Sequence, residues 1–177
     1  VTVPFYTLAI YMISYTELHL GLSKSQALHA NTVSMIAMFL PIWHMGKLSD
    51  KIGRTKILLG SILAMMLLAY PAFTLMQSGS FWPVALGQAM LSFCLGCYFA
   101  PIPALLVELF PTRIRYTGMS LSYNICAIVG GLTPTISEWL IGRTGDNRSI
   151  MYLLIGAGVV SFVALATYKD RWREPLA

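Results

Sequence analysis

The chain has 177 residues, 56% of them hydrophobic and 11% charged, with 12 Lys and Arg against seven Asp and Glu for a formal charge of +5; its mean hydropathy is +0.68. Soluble domains carry about 25% charged residues, so this composition excludes an ordinary water-soluble fold. The cations fall in small groups between apolar blocks rather than along one face, which excludes a nucleic-acid footprint and makes the basic balance a matter of membrane topology.

Six apolar segments follow in chain order. Each reads as a helix, because crossing roughly 30 Å of hydrocarbon at 1.5 Å per residue takes about 20 apolar residues. The first, Val3 to about Leu20, is rich in tyrosine (Tyr6, Tyr11, Tyr15) and ends at Glu17, His19 and Gly21. Its opening run, residues 1–15, covers only roughly 22 Å, so the chain is expected to start inside a span and to be a piece of something longer. Ser23 is the expected N-cap of the second segment, about Leu28 to Met45, which is charge-free and bent at Pro41.

A basic hairpin over 46–56 leads into the third segment, Ile57 to Gln77, interrupted by Tyr70 and Pro71. The fourth, Phe81 to Phe110, carries Pro83, Pro101 and Pro103 and is expected to kink, because proline removes a backbone donor. A second basic hairpin, with its loop at 111–117, precedes the fifth segment, about Thr117 to Ile141. That segment contains Gly130, Gly131 and Pro134 and ends at Glu138 and Trp139. A polar turn at 142–148, a charge-free sixth segment from Ser149 to Tyr168 and a basic tail at 169–177 complete the chain.

The charges test this topology. One side holds Lys47, Lys51, Arg54, Lys56, Arg113, Arg115, Lys169, Arg171 and Arg173, and the other only Lys24, Arg143 and Arg148. Lys and Arg are retained on the cytoplasmic side during insertion, so the two hairpins and the C-terminal tail are expected there. Cys94, Cys97 and Cys126 lie in apolar runs and read as buried small hydrophobes. No metal and no cofactor is expected. His19, His29 and His44 fall toward span ends and read as interface or loop residues; with no ionisable residue in mid-span, these helices offer no obvious proton carrier.

Gly46-x-x-x-Asp50-Lys51-x-Gly53-Arg54 resembles the loop signature of the major facilitator superfamily. Physically, Gly46 would let two helices approach, Asp50 would accept from the start of the next helix, Gly53 would permit a tight turn, and Arg54 would pair with a carboxylate or a helix C-terminus. Thr55 stands where the family often has another basic residue. Any cytoplasmic loop would be basic, so the second hairpin discriminates. Glu108-x-x-Pro111-Thr112-Arg113-x-Arg115-Tyr116-Thr117-Gly118, continued by Ser120-Leu121-Ser122-Tyr123-Asn124, is similar to the corresponding loop of the metabolite:proton symporter family, and most like its proline/betaine branch.

The resemblance implies an all-α, polytopic membrane bundle over residues 1–177: the C-terminal six-helix half of a twelve-helix transporter, with its first helix truncated. Its implied partners are the missing N-terminal half, where the carboxylates that couple protons are expected, the lipid bilayer, a small polar metabolite such as proline or betaine, and protons, with no nucleic acid. It implies alternating access rather than catalysis, and a bacterial cytoplasmic (inner) membrane. Glu108 would pair with Arg113, with Arg115, or with Arg54 across the bundle, as a cytoplasmic gate.

Segments one, two, four and five would face the substrate, making Tyr11, Asn31, Ser34, Gln88, Ser92, Tyr98, Tyr123 and Asn124 candidate cavity residues, although interhelical hydrogen bonding is the ordinary role of such side chains. The stripe Ser120, Asn124, Ala127, Gly131, Pro134 suits either a cavity wall or close packing. Alternatives are a sugar or other organic-acid porter, a transport-inactive sensor derived from such a carrier, and an integral-membrane enzyme. The last would need an intramembrane His, Asp or Glu cluster that the sequence lacks.

Overall fold

A computed structural model describes residues 2–168 of the chain, and its regular elements are all helical. Six helices follow one another: α1 (2–18), α2 (24–52), α3 (Arg54–Met76), α4 (Phe81–Leu109), α5 (Arg115–Thr144) and α6 (Asn147–Ala166). The last four are long and apolar enough to cross a membrane. α1 is shorter, and α2 is more polar, carrying Asn31, Ser34 and His44 within its length.

Several of these helices are irregular, and the breaks in α2, α4 and α5 are traceable to proline. α1 passes through a π-helical stretch, Tyr6–Tyr11. α2 breaks at Leu40 and Pro41, between Lys24–Phe39 and Ile42–Ile52. α4 breaks at Ala100 and Pro101, between Phe81–Phe99 and Ile102–Leu109. α5 breaks at Leu132, where Pro134 follows in the first turn of Thr133–Thr144. Proline removes a backbone N–H and clashes with the preceding turn, so each axis yields there. Ser23 caps α2 in a reciprocal capping box with Gln26, as expected.

α4 is the central helix, packed between α2 and α3; α3 also carries α6, and α1 lies against α2 and α5. Gly96 of α4 backs directly onto the Met38 carbonyl and the Pro41 ring of α2. A Cβ there would collide with backbone, so the glycine sets this approach, the small-residue packing usual where helices gain little from burying apolar surface against lipid. Tyr15, Phe73, Met76, Leu91, Leu95, Ile150 and Leu154 form the main core, and Leu58, Ile62, Tyr98 and Leu105 a second cluster nearer the start of α3.

Three expectations change. The hairpin at 46–56 is not a loop of that length: α2 stays helical to Ile52, and Gly53 alone turns the chain, at φ +107°. Cations on a last helical turn complement its C-terminal dipole, so charge did not mean loss of helix. Pro71 does not interrupt α3. Cys94 and Cys97 are buried but Cys126 is exposed, because α5 presents most of its surface outward: 22% of its central stretch is buried, against 50% for α4. The tail at 169–177 lies outside the described residues.

Candidate functional site

Polar side chains collect at the two ends of α3, which its length separates by roughly 35 Å at 1.5 Å per residue. At the first end, Arg54 opens α3 and reaches two other helices. Its Nε donates to Glu108 Oε1 at 3.0 Å and its Nη2 lies 2.9 Å from the same oxygen. Nη1 donates to Ser49 Oγ at 3.1 Å and also pairs with Asp50. Ser49 Oγ in turn donates to the Gly46 carbonyl at 2.7 Å.

The Arg54 and Glu108 side chains are 13% and 12% exposed, whereas Asp50 is 63% exposed. The buried pair is therefore the strong interaction, and the Asp50 pair is weakened by solvent. Asp50 sits on the segment beyond the α2 break and Glu108 on the segment beyond the α4 break. One guanidinium thus fastens both end segments to α3.

This geometry selects among the partners expected for Glu108. Arg113 is exposed, and Arg115 Nε donates to the Phe110 carbonyl at 3.1 Å. Gly46 departs from its expected role: a Cβ there would meet nothing within 4 Å, so it mediates no close approach within the described residues, and Gly96 does so instead. Gly53 does make the turn.

The expected cavity residues divide into two groups, apart from Tyr11, which is buried and pairs with Glu138 at the far end. Gln88 and Ser92 are fully buried on α4, and neither the Gln88 amide nor the Ser92 hydroxyl finds a hydrogen-bond partner among the described residues. Asn31 of α2 donates through Nδ2 to the Ala9 carbonyl at 3.3 Å, and its Oδ1 has no partner among the described residues. Ser34 donates to the Asn31 carbonyl, and Tyr98 is buried. Since α2 and α4 run parallel and meet at Met38 and Gly96, Ser34 and Ser92, each four residues earlier, share one level of this seam. Tyr123 and Asn124 lie instead on the outward face of α5, with Asn124 Nδ2 donating to the Ser120 carbonyl at 2.7 Å. Gly131, in the same stripe, has open space where a Cβ would stand, so the stripe is not a packing seam within this bundle.

The far end of α3 holds a second polar group. Gln77 Nε2 donates to Tyr15 Oη at 3.2 Å, and that hydroxyl donates to the Asn147 carbonyl at 3.0 Å, linking α3, α1 and α6. Tyr11 Oη donates to Glu138 Oε1 at 2.7 Å, and His19 Nε2 lies 3.2 and 3.3 Å from the two Glu138 oxygens. His19 and Glu138, read from sequence as segment-end residues, are thereby joined across α1 and α5. The available signal was Glu138 itself, the one charged residue between Arg115 and Arg143. Among the described residues, no group of His, Cys, Asp and Glu could hold a metal ion.

The aromatic residues agree with a membrane lying between these ends. Trp43 and Tyr116 are exposed near the Arg54 end, and Trp82 and Trp139 near the Gln77 end, as in the aromatic belts at membrane interfaces. Lys47 lies over the Trp43 ring and Arg143 over the Trp139 ring, at 4.2 and 5.3 Å from the ring centroids.

Residues 2–176 match the family model of the Major Facilitator Superfamily. The chain is 35% identical over 175 residues to a proline/betaine transporter of Escherichia coli (strain K12), covering 98% of this chain and 35% of that protein. It is 32% identical over 173 residues to an ectoine/proline transporter of Corynebacterium glutamicum, covering 97% of this chain and 34% of that protein. A glycine betaine/proline/ectoine/pipecolic acid transporter of Dickeya dadantii is 32% identical over 174 residues, covering 98% of this chain and 35% of that protein. The chain thus spans about a third of the length of the curated relatives it matches.

Proposed function

The chain belongs to the Major Facilitator Superfamily, and from that premise we propose that it is the C-terminal six-helix half of a secondary active transporter. The complete protein would carry a small zwitterionic osmoprotectant of the proline and betaine type, coupled to protons, across a bacterial cytoplasmic membrane. The Arg54 end and the C-terminus face the cytoplasm. The mate is an N-terminal six-helix bundle, for which the outward apolar face of α5 is the natural seat.

The observation that carries this reading is the buried Arg54–Glu108 pair. It fastens the end segment of α4, beyond the Pro101 break, to the start of α3. Removing one partner of such a pair costs about 3–5 kcal/mol. That cost is borne only in the conformer that buries the pair, so losing either partner biases the bundle away from that conformer. The cluster acts as a latch that is closed while the transporter opens outward and parted when it opens inward. Asn31, Gln88 and Ser92 supply substrate contacts: a zwitterion offers a carboxylate to amide donors and a cationic nitrogen to carbonyl oxygens, and these side chains have capacity to spare. No bond is made or broken in the substrate.

Uptake into proteoliposomes by the complete protein tests the proposal. Proline, betaine and a dicarboxylate are supplied with and without an imposed pH gradient. Accumulation of proline or betaine that follows the gradient is expected. Accumulation of the dicarboxylate alone would reassign the substrate, and no uptake of any solute would favour a transport-inactive sensor.

A further inference from the structure

We propose that His19 and Glu138, backed by Tyr11, form a proton-loading pair at the end of the bundle opposite the Arg54 latch, and that loading it ties helices α1 and α5 together. This rests on the transport reading above and adds the group that senses the proton.

Three features carry it. First, the pair is built rather than incidental. His19 is held by its ring against Tyr15, at 5.5 Å between centroids, and by Asn147 Nδ2, which donates to its carbonyl at 3.3 Å. Glu138 receives the hydroxyl of buried Tyr11 besides the imidazole. Second, the pair is not sealed inside the bundle: the His19 and Glu138 side chains are 20% and 45% exposed, and an open groove lined by Tyr11, Ser14, Leu18, Pro134 and Thr135 runs beside Glu138.

Third, both helices yield at the right place. The π-helical stretch of α1 ends at Tyr11, and α5 breaks at Leu132, less than two turns before Glu138. Deeper along the same seam, Gly130 lies close against Thr2 and Tyr6. That contact serves as a fulcrum, about which the Glu138 end can open and close.

The chemistry is a single protonation. A neutral His19 donating through Nε2–H to the Glu138 carboxylate takes a proton at Nδ1, becoming an imidazolium, and no other bond changes. The bond, already charge-assisted through the carboxylate, becomes an ion pair between imidazolium and carboxylate that spans α1 and α5. The groups nearest the pair are Tyr11 and Tyr15 from α1; Asp146, just before α6, and Arg148, in its first turn, act on Tyr15, while Arg143 of α5 lies over the Trp139 ring. Counted over this whole end, Lys24, Arg143 and Arg148 balance Glu17, Glu138 and Asp146, so a proton on His19 is a net gain of charge at a locally neutral site. Binding from outside therefore favours the conformer closed at this end, the direction a symporter requires.

The test uses the complete reconstituted transporter, comparing pH-gradient-driven accumulation with substrate exchange at one fixed pH, which needs no net proton movement. For Glu138→Gln, accumulation should fall by about tenfold or more, within the 5–150-fold range of typical site–site coupling, while exchange continues. For His19→Gln, the dependence of uptake on external pH should flatten, since the imidazole that takes the proton is gone. Accumulation by Glu138→Gln at the wild-type level overturns the proposal. If that variant loses exchange as well, the His19→Gln profile decides: flattening sustains the proposal and an unchanged profile overturns it. Failure of the transport reading looks different, because then the unsubstituted protein neither exchanges nor accumulates substrate.

Discussion

Arg54 and Glu108, 54 residues apart, meet at 2.9–3.0 Å with both side chains nearly sealed from solvent. Removing the cation leaves a buried carboxylate whose second oxygen already has no partner among the described residues. Arg54→Ala should therefore destabilise the bundle by about 3–5 kcal/mol, whereas the exposed Arg113→Ala should stay within about 0.5 kcal/mol of the native protein. Thermal unfolding in detergent measures both. The double exchange of Arg54→Glu with Glu108→Arg should recover part of the loss, and equal stability in the single variants of Arg54 and Arg113 would contradict the latch.

Two glycines of the first motif should behave oppositely on substitution. Gly53 at φ +107° and ψ 146° occupies a region that costs other residues about 1–3 kcal/mol, so Gly53→Ala should lower the unfolding temperature. Gly46→Ala should be tolerated by this bundle, since its Cβ enters open space. Gly96→Ala should be worse than Gly46→Ala, because the obstacle is the Met38 carbonyl and overpacking costs about 1–3 kcal/mol.

Gln88 separates stability from function. A buried amide with no partner costs roughly 1–3 kcal/mol, so Gln88→Leu should leave the melting temperature unchanged or raise it. As a substrate contact, the same change should weaken uptake by raising KM. A variant that is both stable and kinetically native would remove Gln88 from the site.

Topology is open to single-cysteine labelling in a cysteine-free background. Cysteines introduced at Lys51 and Arg113 should react with an impermeant maleimide only from the cytoplasmic face, and one at Gly145 only from outside. The reverse pattern would invert the bundle and with it the side from which His19 is loaded.

Helix positions were legible in the sequence because hydrophobic length, proline placement and charge asymmetry are local properties. The Pro41 and Pro101 breaks and the Ser23 cap are where the residues alone put them. The end of α2 was misplaced, since the polar run from Gly46 to Ile52 has the composition of a loop yet remains helical until Gly53 turns it. Cys126 was misread for a related reason: an apolar neighbourhood in sequence says that a residue avoids water, and not whether protein or something else covers it.

By itself the sequence determined that this is a membrane helical bundle with a basic face, and its two hairpin motifs pointed to the family. Only the tertiary structure decided which charge meets which. Glu108 had three arginines within plausible reach, and the fold chose Arg54, because breaks in α2 and α4 carry their end segments back onto the start of α3. His19 and Glu138, 119 residues apart, could be paired only by the packing of α1 along α5. Ion-pair partners are set by distances of a few ångströms between separate helices, and no periodicity within one helix encodes them.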